Sequence, residues 1–231
     1  MLHNEELKIG KVVERIKGMD KPIVDENLVV DDGSTDGSAT IAGSLGATVV
    51  KLGKVLGVGA ALRRGMAYAL EKNYDLIVII AGNNKDEPNE IPALLAPIVN
   101  DNFDFIQGSR FLGPMNFGAM PFYRRVATRV HPLLFSFVTG KWVTESTNGF
   151  RAFKATLLKD PRLHLNEKWL DEYELAPYLY YKAVTMGHKT GEVPCTKIYP
   201  PKKIGYTKMK PITGWWSIIR PLFLLWLGLR K

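Results

Sequence analysis

Residues Leu28–Val30 form a short apolar run that ends at once in two carboxylates, Asp31 and Asp32, followed by Gly33-Ser34-Thr35-Asp36-Gly37. A buried strand of a parallel sheet ends this way where its C-terminal edge carries a ligand site. Ser34, Thr35 or Asp36 can cap a helix starting near Gly37, which leaves backbone N–H groups beside the carboxylates. Two adjacent Asp at a strand end can accept hydrogen bonds from the N–H and hydroxyl groups of a base and a ribose. Taken alone, the motif suits a solvated, capped turn equally well.

The chain around it has the rhythm of an α/β fold. Apolar residues at Leu7, Ile9, Val12, Val13 and Ile16 give helical spacing over 5–17. A helix is expected over 39–45, a strand over 47–52, a Gly-led helix over 57–70 and a central strand over 76–80. A helix over 90–99 and a strand over 103–107 complete an alternation that calls for a parallel sheet with crossover helices. Beyond residue 110 the spacing predicts a loop through Pro121 and helices over 122–138 and 172–186, the second bent at Pro177. A short strand is expected over 190–193, and a mobile basic loop over 197–210. Gly57-Val58-Gly59-Ala60-Ala61-Leu62 is not a dinucleotide fingerprint, because Leu62 stands where the third glycine belongs. It reads as a tight turn into a helix packed closely on the sheet.

A chain of 231 residues can hold one α/β domain with a sizeable core. The net charge of +8 suits phosphate-rich ligands or an anionic membrane face. Nucleic acid is not an expected partner, since the basic residues do not interleave with aromatics on an evident platform. The single cysteine, Cys195, excludes an internal disulfide, fits a reducing compartment and reads as a small buried apolar residue. No signal peptide or repeat is evident. The sequence does not set an oligomeric state.

Asn4-Glu5-Glu6, the Asp31–Gly37 motif, Gly108-Ser109-Arg110, Asn148-Gly149-Phe150-Arg151, Glu192-Val193-Pro194 and Gly205-Tyr206-Thr207-Lys208 follow one another in order. Together they resemble family 2 glycosyltransferases of the GT-A fold, and within them the dolichol-phosphate mannose synthase, or polyprenyl-phosphate glycosyltransferase, group. The resemblance implies a Rossmann-like three-layer α/β sandwich with a mostly parallel central sheet, spanning residues 1–210. Residues 211–231 would form an apolar, aromatic membrane-interface segment with an amphipathic helix. Relatives begin with an apolar strand before Pro-x-Tyr-Asn-Glu, whereas this sequence opens at Met1-Leu2-His3-Asn4-Glu5. The first strand is therefore expected to be missing, unless the true start lies upstream.

The resemblance also implies an inverting sugar transfer from a nucleotide diphosphate sugar to a polyprenyl phosphate, dolichyl or undecaprenyl. Glu5, Asp31, Asp32, Asn83, Lys85, Arg110, Lys202 and Lys208 would bind the donor. Arg124, Arg151 and Glu145 would act at the reaction centre, with the two arginines receiving the acceptor phosphate. Relatives hold Mg²⁺ or Mn²⁺ with an Asp-x-Asp motif, and this chain has Ala81-Gly82-Asn83 there. Alanine cannot ligate a metal, and one neutral amide oxygen is a poor exchange for a carboxylate on a hard cation. Three explanations stay open: Lys85 replaces the metal as a point charge, Asp86 or Glu87 (or Asn83 itself) holds one from a shifted position, or transfer has been lost.

The tail from Trp215 to Lys231 is interrupted by Arg220 and Pro221 and is too short for a confident span. Its tryptophans and terminal basic residues suit a headgroup boundary, so the protein is expected to be cytoplasmic and peripherally bound to the membrane. Two rival readings remain: a family 2 enzyme with a hydroxyl acceptor, using Glu145 or Glu174 as base, and a non-catalytic binder of nucleotide sugar or lipid phosphate.

Overall fold

The computed structural model describes residues 1–19, 23–113, 115, 117–201 and 213–230. Helix α1 (Glu6–Lys17) buries Ile9, Val12, Val13 and Ile16, the stripe its spacing predicts. Strand β1 (Leu28–Asp31) leads through the Asp motif into α2 (Ser38–Ser44) and then β2 (Thr48–Lys51). Helix α3 (Val58–Glu71) precedes β3 (Leu76–Ile79). A 3₁₀ turn at Pro88–Glu90 opens α4 (Ile91–Asn100), which returns to β4 (Phe105–Ser109). The second half adds α5 (Phe122–Thr139), β5 (Arg151–Lys154), α6 (Leu175–Thr185), β6 (Thr190–Pro194) and α7 (Thr213–Trp226).

The strands form two ladders, β1-β2 and β3-β5-β4-β6. The β1-β2 and β4-β6 pairs are parallel, whereas β5 runs antiparallel to both β3 and β4. Periodicity gave no sign of β5, because its four residues begin and end on cations. Its burial comes from the neighbours on both sides. Pro177 does not bend α6. It lies in the first turn, where its missing N–H would have had no intrahelical partner.

One core cluster gathers Phe105, Phe135, Phe153 and Tyr180, with Tyr180 stacked at 4.9 Å on Phe105 and 4.7 Å on Phe135. A second gathers Leu2, Ile9, Val13, Val29, Leu94 and Ile106. Helices thus cover both sheet faces, giving three layers. Leu222 and Leu225 of α7 join the first cluster, so one face of the tail packs on α5 and α6.

The glycines at the start of α3 serve a loop rather than the sheet. A Cβ on Gly59 would lie 1.9 Å from the Leu170 carbonyl oxygen, and Gly57 has a φ of +105°. The closeness lets the Asp171 carbonyl accept from the N–H groups of Gly59 (2.7 Å) and Ala60 (3.0 Å), capping the helix. The expected basic loop also differs at its start. Lys197 and Tyr199 are buried and bridge to Asp86 and Gly118. Lys202, Lys208 and the Gly205–Lys208 motif lie outside the described residues.

Candidate active site

The Asp motif and the N-terminal residues are stitched together side by side. The Asp32 carbonyl is 2.7 Å from the His3 ring nitrogen Nδ1. Asn4 donates its N–H to Ser34 Oγ (2.9 Å) and accepts the Thr35 N–H on Oδ1 (2.8 Å). Glu5 donates its N–H to Ser38 Oγ (2.8 Å), and Glu6 donates its own to the Asp36 carboxylate (3.2 Å). This seam forms one wall of a cleft of about 1090 Å³ at the C-terminal ends of β1 and β3. Glu5, Asp32, Asn83, Lys85 and Arg124 all line it.

Asp32 is buried, and its two oxygens accept the N–H groups of Leu56 (2.6 Å) and Gly57 (3.0 Å). It therefore sets the turn before α3 while facing the cleft. Asp31, also buried, accepts the Ser34 N–H at 3.0 Å and is not among the cleft-lining residues.

Two cleft-lining cations, Lys85 and Arg124, pack against the buried Tyr199. Lys85 Nζ lies 4.8 Å from the Tyr199 ring centroid, and the Arg124 guanidinium carbon lies 5.3 Å from it. Arg110 donates to the Tyr199 hydroxyl at 3.3 Å. Burial, reinforced by Lys197 and Arg124, pulls the Lys85 pKa down to about 7. Burial opposes ionisation of the Tyr199 phenol, but Arg110, Arg124 and Lys197 outweigh it and draw its pKa below the usual tyrosine value. Two of the cations around the ring are ion-paired, Arg110 with Glu145 and Lys197 with Asp86, while Lys85 and Arg124 line the cleft. Sequence reasoning missed Tyr199. The available signal was an aromatic residue directly before Pro200-Pro201 in a lysine-rich stretch.

Behind this face sits a buried ion pair. Arg110 Nε donates to Glu145 Oε2 at 2.5 Å, and Arg110 also reaches Thr147 Oγ1 at 3.1 Å. Burial works against the guanidinium charge, but the Glu145 carboxylate more than restores it and lifts the pKa above the ordinary arginine value. The other Glu145 oxygen accepts from the backbone N–H of Thr147 (2.7 Å) and Asn148 (3.1 Å). Arg151 donates to the carbonyls of Ala176 (2.6 Å) and Asn148 (2.5 Å), with Phe105 beside its guanidinium. Burial lowers its pKa to about 10. Neither Arg110, Glu145 nor Arg151 lines the cleft. Glu174, whose pKa burial raises, is held by Arg220 of α7 at 2.5 Å.

Few donors remain for a divalent ion. Ala81 offers none. Asp86 is buried and ion-paired to Lys197 at 2.5 Å, and Glu87 is paired with Arg15. Asn83 Oδ1 is buried without a partner and supplies one neutral oxygen. Among the described residues no group of three or more His, Cys, Asp or Glu side chains could hold a metal. A divalent ion bound with a nucleotide takes one or two protein carboxylates beside phosphate and water oxygens, and both carboxylates of the 81–87 turn are ion-paired.

A mixed α/β sandwich with a cleft at the strand ends is the architecture of GT-A glycosyltransferases. The family described as Glycosyl transferase family 2 matches residues 1–160, and the chain belongs to it. The protein is a glycosyltransferase.

Among its relatives is the UDP-N-acetylglucosamine–dolichyl-phosphate N-acetylglucosaminyltransferase of Methanococcus voltae, 29% identical over 85% of this chain and 83% of that protein. The dolichyl-phosphate hexose transferase of Haloferax volcanii is 27% identical over 92% and 85%. Glucosyl-3-phosphoglycerate synthase of Mycobacterium tuberculosis, solved with Mn²⁺, UDP-glucose and phosphoglyceric acid, shares the fold. Its TM-score is 0.69 at 22% identity, covering 100% of this chain and 78% of that one.

Proposed function

We propose that this protein moves a sugar, with inversion, from a nucleotide diphosphate sugar to a polyprenyl phosphate at a membrane surface. The observation that carries this reading is the pair of cations, Lys85 and Arg124, packed against the Tyr199 ring and lining one cleft with Asp32. A lipid phosphate acceptor must approach an anionic diphosphate, and like charges about 4 Å apart cost several kcal/mol at an effective dielectric of about 20. Fixed cations lower that cost. The names of the relatives, which pair sugar transfer with dolichyl phosphate, point the same way.

In this reading Glu5 and Asp32 border the nucleoside, with Asp31 holding the turn that positions Asp32. Lys85 and Asn83 sit at the diphosphate, and Arg124 at the acceptor phosphate. Lys202 and Lys208 are assigned to the donor phosphates by the family resemblance alone. A phosphate oxygen of the acceptor attacks the anomeric carbon from the face opposite the leaving group. The bond from that carbon to the diphosphate oxygen breaks, and the nucleoside diphosphate departs with its electron pair. A phosphate monoester with second pKa about 6 is already mostly dianionic at neutral pH, so no protein base is required. That agrees with Glu145 and Glu174 both being engaged by arginines.

No described helix is long and apolar enough to cross a membrane. An exposed apolar surface nevertheless runs along Phe122, Val126 and Phe137 of α5 and Trp216, Phe223 and Trp226 of α7. The Phe137 and Trp226 rings meet at 6.0 Å, joining the two stripes. Arg125, Arg129 and Arg230 are exposed near it, as expected of a peripheral surface facing anionic lipid.

The deciding experiment offers the purified protein a panel of labelled nucleotide sugars. Three acceptors are compared: a polyprenyl phosphate, the matching polyprenol and simple hydroxyl acceptors. Label should enter the lipid phosphate alone. Transfer only to hydroxyl acceptors would overturn the acceptor assignment.

A further inference from the structure

The chain leaving β6 is bonded at each residue from 195 to 199. The Cys195 N–H donates to the Ser109 carbonyl (2.9 Å), and Thr196 gives its N–H (2.7 Å) and its hydroxyl (2.6 Å) to the Glu90 carboxylate. Lys197 pairs with Asp86, and the Ile198 N–H donates to the Lys85 carbonyl at 2.9 Å. Tyr199 donates its N–H to the Phe117 carbonyl (3.1 Å) and accepts the Ala119 N–H on its own carbonyl (3.0 Å). Gly118, between those two partners, has a φ of +55°, and a Cβ there would lie 2.5 Å from the Tyr199 carbonyl oxygen. The backbone of Tyr199 is thus held on both sides, which fixes where its side chain starts.

The residue is 2% exposed and does not line the cleft, but two of the side chains it touches do. Lys85, from the turn after β3, brings its ammonium to 4.8 Å from the ring centroid. Arg124, from the first turn of α5, brings its guanidinium carbon to 5.3 Å. The phenol oxygen accepts from Arg110, which Glu145 holds. One ring therefore joins three cations from three distant parts of the chain. The negative face of an aromatic ring attracts a cation, more strongly where water is excluded. A leucine or methionine would fill the space without that attraction. A lysine stem is long and flexible, so an ammonium that must meet a phosphate at a set place needs something to hold it. Charge already in place costs no reorganisation when the reaction begins.

We infer that Tyr199 is a positioning residue for sugar transfer, its ring holding the Lys85 ammonium and the Arg124 guanidinium where they meet phosphate. The inference rests on the reading of the cleft given above, with Lys85 at the donor diphosphate and Arg124 at the acceptor phosphate. Tyr199 touches neither substrate and acts through the two cations. Its hydroxyl ties the ring to the Arg110–Glu145 pair behind the site and is secondary to the ring face. Loss of the ring should therefore weaken both phosphate sites together, although each cation belongs to a different one.

The test compares Tyr199→Phe, which keeps the ring, with Tyr199→Leu, which does not. Tyr199→Met, whose flexible chain fills irregular space, replaces the leucine variant if that one does not fold. Leu94→Ala, a core loss in the second cluster away from the cleft, controls for stability. The readouts are affinity for inorganic pyrophosphate by titration calorimetry, and kcat and KM with donor and polyprenyl phosphate varied separately. The leucine variant should bind pyrophosphate about tenfold more weakly, with kcat/KM for both substrates falling by about tenfold or more. The phenylalanine variant and Leu94→Ala should stay within about threefold of the native protein. In a Lys85→Met background, Tyr199→Leu should cost pyrophosphate binding less than about twofold more, because the cation it positions is gone. Equal losses in the phenylalanine and leucine variants would overturn the inference, as would a full additional tenfold loss in the Lys85→Met background. Activity that tracks the thermal midpoint alike in Tyr199→Leu and Leu94→Ala would reduce Tyr199 to packing. Native protein that does not bind pyrophosphate would overturn it too. Transfer to hydroxyl acceptors alone would instead remove the acceptor reading, while the pyrophosphate arms still decide whether Tyr199 positions Lys85.

Discussion

Two sets of cations lie within one site and differ in what surrounds them. Lys85 and Arg124 line the cleft and pack against Tyr199. Arg110 and Arg151 lie behind, the first held by Glu145 and the second by two backbone carbonyls. Arg110, Arg124 and Arg151 were singled out through the family resemblance, and Lys85 where the chain departs from the family's Asp-x-Asp pattern. The comparison teaches that a motif places a cation in the neighbourhood of a site, while its partners decide its work. A guanidinium already satisfied by a buried carboxylate organises the scaffold. A buried ammonium whose pKa has fallen to about 7 is held at a cost that an anionic ligand would relieve.

The largest effect should fall on the rear set. Arg110→Ala leaves Glu145 as a buried charge without its cation, which commonly costs about 3–5 kcal/mol. Denaturant unfolding should show that loss, and the transition should move without ligand present. An Arg110→Ala protein of unchanged stability but weakened donor binding would erase the distinction between the two sets.

Lys85→Met should do the reverse. Donor affinity should fall by about 100-fold, the scale of losing a hydrogen bond to a charged group. Stability should rise, because the folded state no longer holds a desolvated ammonium. The sign follows from linkage. The Lys85 pKa is about 7 in the folded protein against 10.5 for an ordinary lysine, so the unfolded chain binds more protons between those values. The native lysine thus makes stability rise with pH over that window. The gain from Lys85→Met should be fullest below pH 7, a midpoint shift on the order of 5 °C, and should vanish toward pH 10.5. Calorimetry across pH checks it, and a destabilised variant at pH 6 would refute it.

Binding should report the same group in unmodified protein. If the donor diphosphate needs Lys85 charged, affinity should weaken by up to about tenfold per pH unit above pH 7. Titration calorimetry in buffers of different ionisation enthalpy should show proton uptake on binding at pH 8. A flat affinity between pH 6.5 and 9 would place Lys85 away from the phosphates.

The first half of the fold was legible because its physics is local. Helices α1 and α3 and strands β1 and β3 follow from spacing, and the Asp motif from its abrupt change of polarity. Strand β5 was not legible, since its burial depends on β3 and β4 lying on either side. The same holds within the site. Asp32, Lys85 and Arg124 were named from sequence and line one cleft. That Asp31 turns back on Ser34 rests on a three-residue backbone geometry that composition does not fix. Tyr199 was missed because its neighbours, Lys85, Arg124 and Arg110, come from three distant parts of the chain.

The smallest expected effect bears hardest on the comparison. In place of a carboxylate pair the turn after β3 carries Ala81 and Asn83, and Asp86 is tied to Lys197. If Lys85 and Arg124 supply the charge that a divalent ion would otherwise bring, chelation should slow transfer by less than about threefold, with donor affinity nearly unchanged. The control is Lys85→Met. Removing the ammonium should make any residual activity more responsive to added Mn²⁺, because a diphosphate left without its cation recruits one from solution. Should chelation abolish transfer in the native protein and Mn²⁺ restore it fully, the cleft cations would be auxiliary. Asp86 would then have to leave Lys197 to bind the ion, and that rearrangement would appear as protection of the 83–87 turn from amide exchange only when metal and nucleotide are both present.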